Sequence, residues 1–284
     1  MLKVLRGEER YPAPCALLLG GFDGFHAGHM ALLQEAKKTG LPVGLTSISG
    51  CKAGSDIFTF AEREKIFADA GFCFVLEFSF TEHFRNTSAE DFIGDLFARA
   101  NAEAVFCGED FRFGKGAAGT TALLKALAPC PVSVLPLKSE NVEKISSGKI
   151  RELLNWGRMR EVNRLLCSGY FVEGIVEHGR EVGRTYGFPT LNLTYPKEKF
   201  PIREGVYGGY AETEAGTYPA IVNFGARPTF GVAEKKVEAY LKGFSGDLYG
   251  TRVRVYPTEF LRPVQKFSSE EELKKQLEKD VARV

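Results

Sequence analysis

The spacing of apolar residues changes period partway along this 284-residue chain, and that change sets the architecture. From residue 15 to about 137, short apolar runs alternate with amphipathic segments: CALLLG, MALLQEAKKTG, PVGLTSI, TFAEREKIFADA, FCFVLEF, SAEDFIGDLFARAN, AEAVFCG, TALLKALA and PVSVLPL. That rhythm specifies βαβ units, hence a parallel sheet clothed in helices whose ligands gather at the strand C-termini. From about Tyr170 the period falls to two, in EGIVEHG, TLNLTY, GVYGGYAE, YPAIVNFG, KVEAYLKGF and TRVRVYPTEF, with Gly and Pro between the runs. Such a pattern predicts an antiparallel sheet closing into a small barrel. The tail SSEEELKKQLEKDVARV starts with Ser269 and Glu272 in a capping-box spacing and carries Leu273, Leu277 and Val281 on one stripe, so a terminal helix is expected to pack on the barrel. Two domains follow, 1–169 and 170–284, the first including a helical stretch from Gly148 to Cys167 that bridges them.

Length and a 44% hydrophobic content support two packed cores. Lys and Arg total 37 against 36 for Asp and Glu, with no basic stripe interleaved with aromatics, which argues against nucleic acid or an anionic membrane as partner. Cys15–Leu19 is too short for a signal h-region or a membrane span, and Met1–Arg10 is charged, so the expected location is the cytoplasm. Of the six cysteines (15, 51, 73, 107, 130 and 167) the nearest pair is Cys51 and Cys73, so no CxxC metal or redox pair exists. Most lie in apolar runs and read as buried structural thiols.

Two phosphate-handling signatures stand out. In GGFDGFHAGH, following the first long apolar strand, Gly20, Gly21 and Gly24 let backbone approach a phosphate, while the next helix turns its free N–H groups toward the anion. His26 and His29, three apart, lie over one turn and can donate hydrogen bonds to a phosphate gaining charge during transfer. In GRTYGFPTLNL, Gly183 and Gly187 permit an unusual turn around nucleotide phosphates, and Thr190 and Asn192 share one face of the strand that follows.

The chain resembles the bacterial bifunctional riboflavin kinase/FMN adenylyltransferases in Gly20-x-Phe22-Asp23-Gly24-x-His26-x-Gly28-His29, in Gly108-Glu109-Asp110-Phe111-Arg112-Phe113-Gly114, in Ile145-Ser146-Ser147 to Arg151, and in GRTYGFPTLNL, all in that family's order. The resemblance implies a Rossmann-like nucleotidyltransferase domain that adenylylates FMN to FAD, and a barrel that phosphorylates riboflavin to FMN. ATP is co-substrate and Mg2+ the cofactor. In the first domain it implies that Gly20, Phe22, Asp23 and Gly24 bind nucleotide, that His26 and His29 contact phosphates, that Arg151 clamps the leaving group, that Ser146 or Ser147 caps a helix against the same anion, and that Asp110, Phe111 and Phe113 line the flavin and nucleotide cleft. In the second it implies Glu238 as general base, Thr190 and Asn192 as magnesium ligands, Gly183, Gly187 and Tyr249 at the nucleotide, and Arg262, Lys266 and Phe267 beside the isoalloxazine ring.

The two halves pose different chemistry. The FMN phosphate is already an anion, so adenylyl transfer needs alignment and hydrogen-bond donors rather than a base. The ribityl hydroxyl is neutral and must lose a proton, so a general base is expected. Two departures from the family, Ser47-Ile48-Ser49-Gly50-Cys51 in place of a Phe-x-Pro-His-Pro-like loop and Gly148 in place of threonine, leave open a riboflavin kinase with an inactive or altered first domain. A flavin-binding regulator without turnover is the other alternative.

Overall fold

The computed structural model describes residues 1–50, 55–136, 139–140, 143–178, 188–229 and 232–284, with backbone alone for 139–140, 143–144, 226–229 and 232–234. It forms two compact units, Met1–Ile150 with Glu198–Phe200, and Arg151–Lys197 with Pro201–Val284.

The first unit is built on a six-stranded parallel sheet. Its strands are β1 (Lys3–Leu5), β2 (Cys15–Leu19), β3 (Val43–Ser49), β4 (Phe74–Ser79), β5 (Ala102–Gly108) and β6 (Val132–Leu135), in the order β1-β4-β3-β2-β5-β6. Every residue of β2 is buried, as a central strand covered on both faces requires. Each of its leucines contributes about 1.5–3 kcal/mol by leaving water. The helices are α1 (Ala27–Lys37), α2 (Phe60–Ala70), α3 (Glu82–Asn86), α4 (Ala89–Ala100) and α5 (Thr121–Leu127). Thr59 and Glu62 form a reciprocal capping box on α2, while Ser88 and Thr120 cap α4 and α5 through side-chain oxygens. Phe92 and Leu96 of α4 pack with Leu17, Leu76 and Val105 from the sheet. Five short elements went unread in the sequence: β1, α3, a 3-10 helix at Lys115–Ala117, and β7 (Ser139–Glu140) and β8 (Glu143–Lys144), which pair as a two-stranded ribbon. All are too short to establish a period.

The second unit opens with α6 (Ser147–Trp156), whose first turn belongs to the first unit, and α7 (Met159–Leu165). Asn163 ties α7 to the strands by donating to the Pro257 carbonyl at 3.0 Å and accepting from the Tyr170 amide at 2.7 Å. Six antiparallel strands follow: β9 (Val172–Ile175), β10 (Thr190–Thr194), β11 (Gly205–Thr213), β12 (Gly216–Thr229), β13 (Val232–Leu241) and β14 (Arg252–Arg262). Their order is β10-β13-β12-β11-β14-β9, and a bridge from Glu177 to Asn192 brings the two ends together into a nearly closed barrel. Two register shifts in β11 against β14 bend the wall. At one of them a Cβ on Gly209 would stand 2.0 Å from the Tyr256 carbonyl oxygen, so only glycine fits. The terminal helix α8 (Glu270–Val281) is N-capped by Ser269, but Glu272 turns to the Ser268 amide and hydroxyl rather than completing the box.

The cysteine reading holds for Cys15 and Cys107, which are fully buried and whose thiols burial pushes up to about 12 and about 11. It fails for Cys73 and Cys167, which are exposed. Cys73 opens onto solvent because it precedes β4 in the turn after α2. Cys51 lies outside the described residues.

Candidate active sites

Five strand C-termini of the first unit open into one cleft of about 840 Å³, lined among others by Gly20, Ile48, Phe80, Gly108 and Leu135. Two helix N-termini face it. No side chain caps α1, whose N-cap residue is His26 in extended conformation, so its first amides are left for another acceptor. At the second, Ser146 Oγ accepts from the Lys149 amide at 3.3 Å, and both Ser146 and Ser147 line the cleft.

The glycine turn is fixed from beneath. Thr46 Oγ1 accepts from the Gly20 amide at 3.1 Å and donates to its carbonyl at 3.0 Å. Phe22 takes a left-handed φ of 46°, rare for a bulky residue, and buries its ring 4.3 Å from that of His29. Asp23 Oδ1 accepts from the Ile57 amide at 2.7 Å and so holds the following loop. Phe22, Asp23 and Gly24 therefore shape the turn from behind and are not among the residues lining the cleft, whereas Gly20, His26 and His29 are. The two imidazoles stack 3.7 Å apart. A Cβ on Gly28 would come within 3.2 Å of the His26 ring, a tight approach that a glycine in the first turn of the helix avoids.

His29 Nδ1 lies 3.0 Å from the Gly24 carbonyl, which can only accept, so this nitrogen carries a proton. Burial, and secondly the neighbouring His26, hold the His29 pKa well below its ordinary value. A neutral ring protonated on Nδ1 presents a lone pair at Nε2. Donation to phosphate from that atom thus requires a proton to arrive with the anion, a condition the residue spacing did not disclose.

The same cleft carries an aromatic wall. Phe111 and Phe113 stack at 5.5 Å, Phe113 meets Phe92 at 5.5 Å, and Phe78, Phe80 and Phe84 extend the surface. Asp110 joins the lining. Sequence reading missed Thr46, Arg85 and Arg112, which also line the cleft. Arg85 rides on five-residue α3, whose one legible signal was Thr81, an N-cap accepting from the Phe84 amide. Arg151 stands one turn into α6, in the part that clusters with the second unit, and is not among the lining residues.

In the second unit the candidate residues are aligned by strand register. Thr190, Asn192 and Thr194 of β10 lie directly opposite Tyr240, Glu238 and Lys236 of β13, and these lie opposite Ile221, Asn223 and Gly225 of β12. Directly opposed residues share a face. Asn192 is buried, and Lys236 Nζ pairs with Glu177 at 2.9 Å, helping to hold that carboxyl below the usual range despite partial burial. Tyr249 stacks on His178 at 3.8 Å. Arg262 grips buried Asp280 through Nε and Nη2 at 3.0 and 2.8 Å, anchoring α8, with Phe267 5.8 Å beneath its guanidinium. Lys266 is exposed. Gly183 and Gly187 lie outside the described residues.

Family models described as FAD synthetase and riboflavin kinase match residues 8–149 and 166–284. The bifunctional riboflavin kinase/FMN adenylyltransferase of Escherichia coli K12 is 33% identical, with 98% of this chain and 96% of that protein covered. The chain belongs to that family. The Bacillus subtilis 168 enzyme of the same name is 32% identical, covering 94% of this chain and 90% of its own. A solved structure described as a macrolide-efflux protein from Streptococcus pneumoniae is 28% identical and superposes with a TM-score of 0.89, covering 98% of this chain and 97% of that one. Among the described residues no helix of this family member is long and apolar enough to cross a membrane.

Proposed function

We propose that the chain makes FAD from riboflavin in two ATP-dependent steps, phosphorylation in the second domain and adenylylation in the first, with the domains divided in or just after the helical stretch from Gly148 to Cys167. The observation that carries the reading is the joining, in one cleft, of two helix N-termini and two imidazoles with an aromatic wall: a phosphate subsite beside a ring subsite.

In the first domain an FMN phosphate oxygen bonds to the α-phosphorus of ATP as the bond to the bridging oxygen breaks and pyrophosphate leaves. Amides of α1 and α6, Ser146 or Ser147, His26, and His29 once a proton has arrived with the anion, stabilise the charge that grows on the phosphates. Gly20, Phe22, Asp23 and Gly24 form the nucleotide turn, Arg151 clamps the leaving group, and Asp110, Phe111 and Phe113 border the flavin. The altered loop is anchored at its start, where Ser47 Oγ and the Ile48 carbonyl both accept from buried Arg63, at 3.1 and 2.9 Å.

In the second domain Glu238 takes the proton of the terminal ribityl hydroxyl as that oxygen bonds to the γ-phosphorus and ADP leaves. Thr190 and Asn192 offer a hydroxyl and an amide oxygen on one face of β10, hard donors that suit Mg2+. That ion, when bound, neutralises phosphate charge. Gly183, Gly187 and Tyr249 border the nucleotide; Arg262, Lys266 and Phe267 border the flavin ring, Arg262 through the helix it anchors. The chain works in the cytoplasm, where the five described cysteines, all free, remain reduced.

The test is incubation of purified protein with Mg2+, ATP and either riboflavin or FMN, with chromatographic resolution of the three flavins. FAD from both substrates is expected. FMN accumulating without FAD would assign the first domain another role.

A further inference from the structure

Asn223 has a position that the two-step reading leaves unused. It lies directly opposite Glu238, which lies directly opposite Asn192, so three oxygen-bearing side chains form a row across β10, β13 and β12. Their Cβ atoms are spaced by about 4.5–5.5 Å from strand to strand. The alternate residues, Leu191, Leu193, Val222, Phe224, Val237 and Ala239, fill the apolar face behind them. Asn223 Oδ1 is buried, and none of the described residues donates a hydrogen bond to it. A buried acceptor without a donor is costly, and native proteins carry few. Its neighbours on this face do not relieve it: Lys236 is engaged by Glu177, Tyr240 packs edge-on against Phe188, and Ile221 and Gly225 bring no side-chain donor.

We propose that Asn223 Oδ1 accepts a hydrogen bond from a ribityl hydroxyl of riboflavin, making it a binding residue that selects flavins with a polyol arm. The inference rests on Glu238 meeting the terminal hydroxyl. With Thr190 and Asn192 on the β10 side serving cation and phosphate donor, the acceptor's carbon chain extends from Glu238 toward β12, one strand spacing of about 4.8 Å away. The ribityl arm brings a hydroxyl donor on each carbon there, which matches a lone acceptor. A ligand without those hydroxyls leaves Oδ1 buried and unpaired, the arrangement by which polar sites discriminate most strongly.

The experiment compares riboflavin KM with the inhibition constant of lumiflavin, which carries methyl in place of the ribityl arm, in the riboflavin phosphorylation assay on the full chain. Asn223→Ala is expected to raise riboflavin KM about tenfold, with lumiflavin inhibition and ATP KM unchanged. Asn223→Asp retains an acceptor oxygen and the side-chain shape, and should hold the riboflavin-to-lumiflavin ratio within about threefold of the parent. Equal weakening of both flavins, a rise confined to ATP KM, or collapse of the ratio in Asn223→Asp would overturn the proposal, and the Asp variant decides it if the Ala variant does not fold. Glu238→Gln run in parallel separates the two readings: retained turnover there removes Glu238 as base, whereas the flavin ratio reports on Asn223 alone.

Discussion

On the proposed reading, the cleft of the first unit and the polar row of the second answer the same need, a polyphosphate held beside a flavin, by opposite means. The cleft collects residues 20, 46, 85, 111 and 146 from turns, strand ends and helix starts dispersed over the unit. Its geometry depends on turn conformation, on Phe22 at a left-handed φ, and on the packing of one imidazole over another. The row collects Asn192, Glu238 and Asn223 from three paired strands, where side-chain direction follows from register alone. A slip of one residue would turn the whole row into the apolar core and the core outward. A turn-built site fails locally, whereas a register-built site is held by every hydrogen bond of the ladder and is exposed mainly to loss of its chemical groups.

The sharpest test of that contrast is Glu238→Gln. The amide fits the ladder position and packs as the carboxylate does but takes no proton, so riboflavin phosphorylation is expected to fall about 10²–10⁴-fold. Thermal stability and FMN adenylylation should be unchanged. A large loss of stability would show that the row is a structural network and that register does not explain its persistence.

Arg262→Ala is expected to destabilise the second unit by about 3–5 kcal/mol, because it leaves Asp280 charged and buried without its partner. Chemical denaturation followed by circular dichroism measures this. The comparison is sharpened if riboflavin KM of the folded variant moves little, since Arg262 then serves the flavin only by anchoring α8. A large KM effect at full stability would make it a direct flavin ligand.

How much of each site was legible follows from the same physics. The alternation of apolar segments exposed both sheets and four long helices of the first unit, because those elements span enough residues to show a period. The glycines and paired histidines of residues 20–29 marked a turn that does line the cleft, and Ser146 is indeed a helix cap there. The division of labour inside the motif was hidden: among their contacts, Phe22 packs on His29 and Asp23 accepts from the Ile57 amide, support for the turn that spacing does not reveal. Thr46 and Arg85 escaped because a lone threonine in a strand and an arginine in a five-residue helix have no pattern. Asn223 escaped for a different reason, since its meaning lies in pairing with Glu238 on the neighbouring strand, which spacing along the chain does not reveal.

His29→Ala in the turn-built site should lower conversion of FMN to FAD about 10²–10³-fold, the usual effect of deleting one donor to a developing phosphate charge, while riboflavin phosphorylation is maintained. Equal loss of both activities would mean that the two sites fail together and would break the comparison.

A smaller effect follows from the protonation state of the same residue. With its pKa held below the ordinary value, His29 is neutral near pH 7, and the unfolded chain, whose histidine titrates near 6.5, binds the extra proton first as pH falls. Its contribution to stability is therefore fully present above about pH 6.5 and is lost as pH descends toward the folded value. Polyphosphate reverses the balance, because a nearby anion favours the imidazolium and raises its pKa. Binding of ATP to the first unit should accordingly take up a fraction of a proton at pH 7, seen as a calorimetric enthalpy that changes with the ionisation enthalpy of the buffer, and His29→Ala should abolish that dependence. Buffer-independent binding by the parent protein would mean that Nε2 does not donate to the phosphate, leaving the helix amides and Ser146 to hold the anion.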